Sequence, residues 1–288
     1  MAEQKEKKQR KKKPRKKPRA SAVLLLIAVL VGVWWFNNYT VKVVSTEYHS
    51  KKITAPMRIA ILADLHATMY ALSNETLISK VSDADPDMVV ILGDMYTRKS
   101  PWELIQIPID LTRGLVQKGY PVYYVTGDHD TSEEYKKAIS DLGAHLMNYK
   151  EEITEINGNR LQIMGIDNAY FSPTFDLNKE FSAREDCFSI LLAHIPNYNA
   201  YSKFGADLDL CADTHGGMIQ FPFGFGPVID SSTMTWFPEF LGDGVYYDKG
   251  WFDCGKGKMF ITSGLGASPA PVRLNNRPEI VIMDILPE

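Results

Sequence analysis

Residues 58–66 read RIAILADLH. An unbroken apolar run, Ile59 to Ala63, stops at Asp64 and is followed one residue later by His66. A run this compact, ended by polar residues, reads as a buried strand. Its tip carries two side chains that can hold a metal or a proton. The same pattern recurs in MVVILGD (88–94), PVYYVTGDHD (121–130), CFSILLAHIP (187–196) and DLDLCADTH (207–215).

The segments between these runs read as helices. SNETLISKVSDADP (73–86) offers Ser73 or Asn74 as a cap and Pro86 as a stop; a second helix is predicted from Pro101 to about Lys118. TSEEYKKAISDLG (131–143) gives a third, with Ser132 as cap and Gly143 as stop. EEITEINGNRLQIMGI (151–166) reads as a hairpin turning at Asn157-Gly158. Strand-like KMFITS (258–263) and EIVIMDI (279–285) close the chain. Strands alternating with helices make this an α/β protein, and no second independent domain is indicated.

The amino-terminal end is of a different kind. Residues 1–19 hold eleven Lys or Arg and only Glu3 and Glu6, whereas the remainder of the 288 residues carries a net charge of -12. Such a tail cannot bury apolar surface and is expected to be disordered. Residues 20–36, ASAVLLLIAVLVGVWWF, then run for 17 positions without a charge. A helix of that length spans roughly 25 Å, and Trp34, Trp35 and Tyr39 suit a membrane interface. The reading is an uncleaved signal-anchor, with a cleaved secretory signal as the alternative. The positive-inside rule keeps residues 1–19 in the cytoplasm and puts the acidic remainder outside, a single-pass protein of the cell membrane. Attraction to anionic lipid accounts for the basic tail without a nucleic-acid partner. Residues 37–56 read as a stalk, with at most one strand in TVKVVSTEY, and residues 57–288 as the main domain. Cys187, Cys211 and Cys254 are widely spaced, which excludes a dense disulfide framework and a Cys-rich zinc site.

Each strand tip alone is weak, since an Asp after a buried strand is most often a turn former. Together they say more. Of the six His in the chain, His66, His129, His194 and His215 all lie at these tips, beside Asp64, Asp94, Asp128, Asp130 and Asp213. Ligands of open α/β sheets gather outside the carboxyl ends of the strands. Carboxylates brought together there would repel one another unless cations resolved the conflict, and a two-metal hydrolytic site does so economically.

The ordered series D-x-H, G-D, G-D-H-D, H-x-P and T-H-G-G resembles the calcineurin-like metallophosphoesterase family. It is closest to the membrane-associated bacterial branch that includes UDP-2,3-diacylglucosamine hydrolases; SGLG (263–266), PVRL (271–274) and PEI (278–280) resemble that branch too. The similarity runs from about Met57 to the C terminus. It implies a sandwich of two mixed β-sheets flanked by helices, preceded here by one transmembrane helix. It also implies metal-dependent hydrolysis of a phosphomono- or phosphodiester, with metal-bound hydroxide attacking phosphorus. One metal would be held by Asp64, His66, Asp94 and His215. Asp94 would bridge to a second, whose other ligands align with Asp128, His194 and Asp213. His129, held by Asp130, matches the histidine that assists the leaving oxygen.

Two departures fall on the second metal: Asp128 stands where the family has Asn, and Asp213 where it has His. Ala212 and Met218 replace Gly and Gln of the same motif. The four carboxylates Asp64, Asp94, Asp128 and Asp213 then sum to −4, against −2 for the usual pattern. That favours a pair of oxygen-loving divalent ions, Mn first, with Mg, Fe or Zn as alternatives. A weak or missing second metal, or a domain that has lost hydrolysis and only binds, are the competing readings. The anchor points to a lipid-linked or cell-envelope phosphoester.

His49 and His145 fall outside the motifs and read as non-catalytic. Arg273 is either a contact for substrate phosphate or half of a structural salt bridge. The aromatic stretch 221–240 shapes a pocket, dips towards lipid or merely covers surface. No P-loop, Rossmann fingerprint or G-x-S-x-G elbow occurs.

Overall fold

The computed structural model describes residues 20–67, 72–167, 175–222, 226–230, 235–241, 245–268 and 272–288. The basic tail 1–19 and parts of the aromatic stretch 221–240 lie outside them. By its contacts the chain falls into two units, Met1–Val33 and Trp34–Glu288.

Helix α1 (Ala20–Tyr39) begins in the first unit and ends in the second. Among the described residues it alone is long and apolar enough to cross a membrane. Its 20 residues correspond to roughly 30 Å, three residues longer than the uncharged run predicts. Side chains add to the backbone bonding of the last turns: Asn38 Nδ2 donates to Trp34 O at 2.8 Å and Thr40 Oγ1 to Phe36 O at 2.7 Å.

The second unit holds two six-stranded mixed sheets. The strands are β1 (Lys42–Ser50), β2 (Met57–Leu62), β3 (Met88–Ile91), β4 (Val122–Tyr124), β5 (His145–Leu146), β6 (Lys150–Ile156), β7 (Asn159–Ile166), β8 (Phe188–Ala193) and β9 (Leu208–Cys211). A short pair β10 (Ile229–Asp230) and β11 (Thr235–Trp236) follows, then β12 (Gly250–Cys254), β13 (Gly257–Ile261) and β14 (Glu279–Pro287). The first sheet runs β1-β14-β2-β3-β4-β5 and the second β12-β13-β9-β8-β7-β6. Strands β2 to β5 are parallel, as are β7, β8, β9 and β13.

Alternation builds three apolar layers. Ile59, Ile61 and Val90 meet Ile163, Ile190 and Leu210 between the sheets. Ala60, Leu62 and Ile91 face the opposite way, under α2 (Asn74–Ala84), α3 (Trp102–Gln117) and α4 (Glu133–Asp141). Leu191, Cys211 and Ile261 cover the outer face of the second sheet with α5 (Tyr198–Phe204). Strands buried on both faces read as continuous apolar runs, which is why RIAILA and MVVIL lack alternation. Ser73 and Ser132 cap α2 and α4, each accepting an amide at 3.2 Å. Asn157 and Gly158, both at positive φ, make the hairpin turn.

The single strand allowed in TVKVVSTEY is present, and it joins the first sheet. Residues 42–50 form the edge strand β1, paired in parallel with β14 from Lys42↔Glu279 to Ser50↔Pro287. Only one face of β1 is covered, so polar residues alternate through it and the apolar signal is faint.

Candidate metal centre

The parallel strands bring their carboxyl ends to one rim, where the loops are stitched together through backbone. Asp64 N donates to Gly93 O at 2.9 Å, His66 N to Asp94 O at 3.1 Å, Ala212 N to His194 O at 2.9 Å and Gly266 N to Asp64 O. Asp64, His66, Asp94, Asp213 and His215 all sit at positive φ, between 41° and 70°. Such conformations are uncommon without glycine, and concentrations of them occur where a site demands them. Each residue leaves its strand and turns its side chain straight back to the rim.

Four overlapping groups of metal-binding side chains result, with ligand atoms within 4.8 Å of one another in each: Asp64–His66–His215, His66–Asp94–His129, Asp64–Asp94–His194 and Asp128–His194–Asp213. Asp94 stands between the two halves, its Oδ2 3.7 Å from His66 Nε2 and 3.4 Å from His194 Nε2. His194 Nε2 also lies 3.5 Å from Asp213 Oδ1 and 4.0 Å from Asp64 Oδ1. The histidine's other nitrogen is used from behind, 2.7 Å from Leu92 O. A carbonyl can only accept, so Nδ1 carries the hydrogen and Nε2 faces the site.

Electrostatics follow the burial. Desolvation pushes the Asp64 carboxyl up to about 8, with Asp94 and Asp213 adding to it. Desolvation would also raise Asp94, but His194, the His129 amide and His66 outweigh it and hold the group below the usual range. Burial drives His66 down to about 4 and His215 well below its ordinary value, so both imidazoles are neutral. Burial works against a charge on His194 too, yet Asp94, Asp213 and Asp64 prevail and raise it. Burial and Asp94 raise Asp128.

This donor set fits divalent cations. Both carboxylate oxygens of Asp64 and the Nε2 of His194 are buried without a hydrogen-bond partner, a costly state that a cation would relieve. His66 Nε2 and His215 Nε2 face each other at 3.2 Å, which requires a proton or a cation between their lone pairs. Glycines keep the space clear: a Cβ on Gly264, at φ +66°, would run into the Asp64 carboxylate, and one on Gly127 into that of Asp94.

His129 reaches the same rim, Nε2 3.9 Å from Asp94 Oδ2. Its Nδ1 accepts the Arg98 backbone N–H at 3.0 Å, so the ring hydrogen resides on Nε2, facing the site. The structure does not pair His129 with Asp130. Asp130 turns inward, where it accepts from Met95 N at 3.1 Å, Gly127 N at 3.2 Å and the Tyr124 hydroxyl at 3.3 Å. It thus braces the loops carrying Asp94 and Asp128, and burial pushes its carboxyl up to about 7. The family resemblance implied the pair; here Asp130 is instead engaged by the Met95 and Gly127 amides and the Tyr124 hydroxyl.

Two arginines complete the surroundings. Arg98, unremarked in the sequence, donates through Nη2 to Asp128 Oδ2 at 3.1 Å and to Asp128 O. Its only sequence signal is a cation in the Asp94 loop. Arg273 is buried and forms no salt bridge among the described residues. It is 1% exposed, and its guanidinium donates to the carbonyls of Gly266, Ser263 and Asn276 and lies 3.3 Å from His215 Nδ1. Asn276, also missed, fixes the His215 carbonyl at 2.6 Å. His49 and His145 lie elsewhere, on β1 and β5, beside Pro287 O and Glu152.

The family model described as calcineurin-like phosphoesterase matches residues 57–219, more than half of the chain. The uncharacterized metallophosphoesterase YkuE of Bacillus subtilis (strain 168) is 26% identical over 84% of this chain and 85% of its own. The uncharacterized metallophosphoesterase YkoQ of the same organism is 25% identical, over 91% of this chain and 99% of its own. The solved structure of TT1561 from Thermus thermophilus aligns with 72% of this chain and 89% of its own, at a TM-score of 0.45 and 10% identity.

Proposed function

The chain belongs to the calcineurin-like phosphoesterase family, and on that premise we propose a membrane-anchored phosphoesterase that uses two divalent cations, Mn foremost. Asp64, His66, Asp94 and His215 hold one ion. Asp94, Asp128, His194 and Asp213 hold the other. The observation that carries this reading is Asp94, which lies between two sets of ligand-type groups and within 3.7 Å of a histidine from each.

Bound divalent ions would supply Lewis acidity towards a phosphoryl oxygen and lower the pKa of water there. The protein's own contribution is positional. His194 is fixed through Leu92 O, and Asp94 is held by the His129 amide at 2.9 Å. His129, with its hydrogen on Nε2, donates to the leaving oxygen as charge develops on it. Asp130 acts through the backbone, keeping the Asp94 and Asp128 loops in register.

Helix α1 anchors the domain, with residues 1–19 cytoplasmic and the catalytic domain outside. The substrate is a lipid-linked or cell-envelope phosphoester, as in the branch that includes UDP-2,3-diacylglucosamine hydrolases. The test is metal analysis of the full chain at saturating Mn, run beside hydrolysis of aryl phosphate mono- and diesters after chelation and re-addition of Mn. Two equivalents of metal with Mn-restored hydrolysis is the expected result. One equivalent or fewer refutes the two-ion centre. Full metal loading without hydrolysis of either ester would leave a binding domain on this fold.

A further inference from the structure

Beside the metal-centre loop, a cleft of about 490 Å³ opens at the end of α1. Lys42, Lys249 and Arg277 line it together with Phe36, Phe221 and Asn275, and among the described residues no carboxylate does. This gathering of cations stands out in a chain whose residues beyond position 19 carry -12 net charge.

Lys42 is paired, 2.9 Å from Glu279. The other two have no carboxylate partner among the described residues. Lys249 gives only Nζ to Asn276 Oδ1 at 3.0 Å, and burial with Lys42 nearby lowers its pKa. Arg277 donates Nε to Thr40 Oγ1 at 3.0 Å and lies 4.2 Å over the Phe36 ring, leaving its terminal nitrogens for a ligand. A guanidinium fork and an ammonium converging on one space match the oxygens of a phosphate. Phe36 and Phe221 add apolar surface that an inorganic anion would not use. Phe36 and Asn37 also belong to the last turns of α1, which lie at headgroup depth when that helix spans a membrane.

We propose that this cleft binds the phosphate of an anionic phospholipid headgroup, contacted by Arg277 and Lys249, with Phe36 and Phe221 against the glycerol end of the lipid. The proposal rests on the reading of α1 as a membrane span, not on hydrolysis. Its occupant would touch the metal-centre loop only indirectly. The lining residue Gln220 donates to Gly216 O at 2.6 Å, and Asn276, which holds Lys249, donates to His215 O.

The test uses the full chain in neutral detergent with chelator present, so that the metal centre cannot take up phosphate. Native mass spectrometry follows titration with dioctanoyl phosphatidylglycerol, dioctanoyl phosphatidylcholine and inorganic phosphate. Phosphatidylglycerol should bind about tenfold tighter than phosphatidylcholine. The double variant Lys249→Gln/Arg277→Gln should erase that preference, and Arg277→Lys should keep part of it. Thermal unfolding checks that the variants fold. Equal binding of the two lipids, or a preference that survives in the folded double variant, overturns the proposal. Inorganic phosphate competing at equal concentration also overturns it, by marking a free-anion site. Hydrolysis of aryl phosphates is read separately, so either reading can fail while the other stands.

Discussion

The guanidinium of Arg98 lies 3.1 Å from the carboxylate of Asp128, the position at which an Asn would carry no charge. The extra negative charge that Asp128 brings is therefore met by a cation from the neighbouring loop. Both partners are about half exposed, so solvent screens the pair and its net contribution is small. Its importance lies in competition: Asp128 can serve a metal only as far as Arg98 releases it. Arg98→Ala is expected to tighten the weaker of two Mn-binding steps by about threefold to tenfold, a change of roughly 1 kcal/mol. It should also raise KM for a phosphoester, because a cation at the rim is lost. Calorimetric Mn titration beside steady-state kinetics checks both. Unchanged Mn affinity would mean that Asp128 takes no part in binding.

Asp94 is the residue on which both halves of the centre depend, since its Oδ2 faces His66 and His194 alike. Asp94→Asn keeps the shape and removes the charge. Bound Mn should fall from two equivalents to one or none, and hydrolysis should drop at least about 100-fold, more than loss of an outer-sphere partner usually costs. Elemental analysis of the dialysed variant reads the first effect directly. Two retained equivalents would refute the bridging role.

His129 is set up to donate a hydrogen bond rather than to shuttle a proton, because the Arg98 amide occupies Nδ1. His129→Ala should lower kcat by about 10²- to 10³-fold with metal content unchanged. His129→Gln places an N–H near the lost Nε2–H and should recover at least about tenfold over Ala. If the ring instead acts as a proton donor, Gln will be as impaired as Ala, and kcat of the two variants decides.

The strands that build the rim were legible because they are buried on both faces: RIAILA, MVVIL and FSILLA offer no alternative to a core strand. The ligand-type residues at their tips were legible for a related reason, since charged groups directly after such runs have little purpose unless the tips converge. Other features depend on tertiary context. Strand β1 pairs only at an edge, and its alternation is broken by Lys42 on the covered face and Val43 on the exposed one. Asp130 adjoins His129 in sequence, but the direction of its side chain is set by the Met95 and Gly127 amides. Arg273 is held by carbonyls from three separate positions, a cage that no local pattern announces.

Asp209 provides a test of the protein's pH dependence away from the metal centre. It lies on β9, fully buried, and neither carboxylate oxygen has a hydrogen-bond partner. Burial pushes its carboxyl up to about 8, and the nearby Cys254 thiol offsets that only in part. Asp64 behaves likewise in the metal-free protein, and His194 is raised above its unfolded value. In all three the folded state holds protons that the unfolded state has released; the parts due to Asp64 and Asp209 are lost as pH rises towards about 8, and that of His194 as pH rises through its raised pKa. His66 and His215 are shifted down and act in the opposite sense, but only below the ordinary histidine range near 6.5. Between about pH 6.5 and 8 the signs therefore agree, and metal-free protein should melt at progressively lower temperature. Saturating Mn removes the parts due to Asp64 and His194, since a bound cation favours the ionised carboxylate and the neutral imidazole. The part due to Asp209 remains, with a part due to Asp130 that is lost by about pH 7. Asp209→Asn should flatten the residual slope and raise Tm at pH 8 by at least about 2 °C, roughly what 1 kcal/mol gives in a domain of this size. Thermal unfolding of both proteins at pH 6.5 and pH 8, with and without Mn, makes the measurement. An unaltered slope in the variant would show that Asp209 is ionised in the fold and that its surroundings hold a compensating charge.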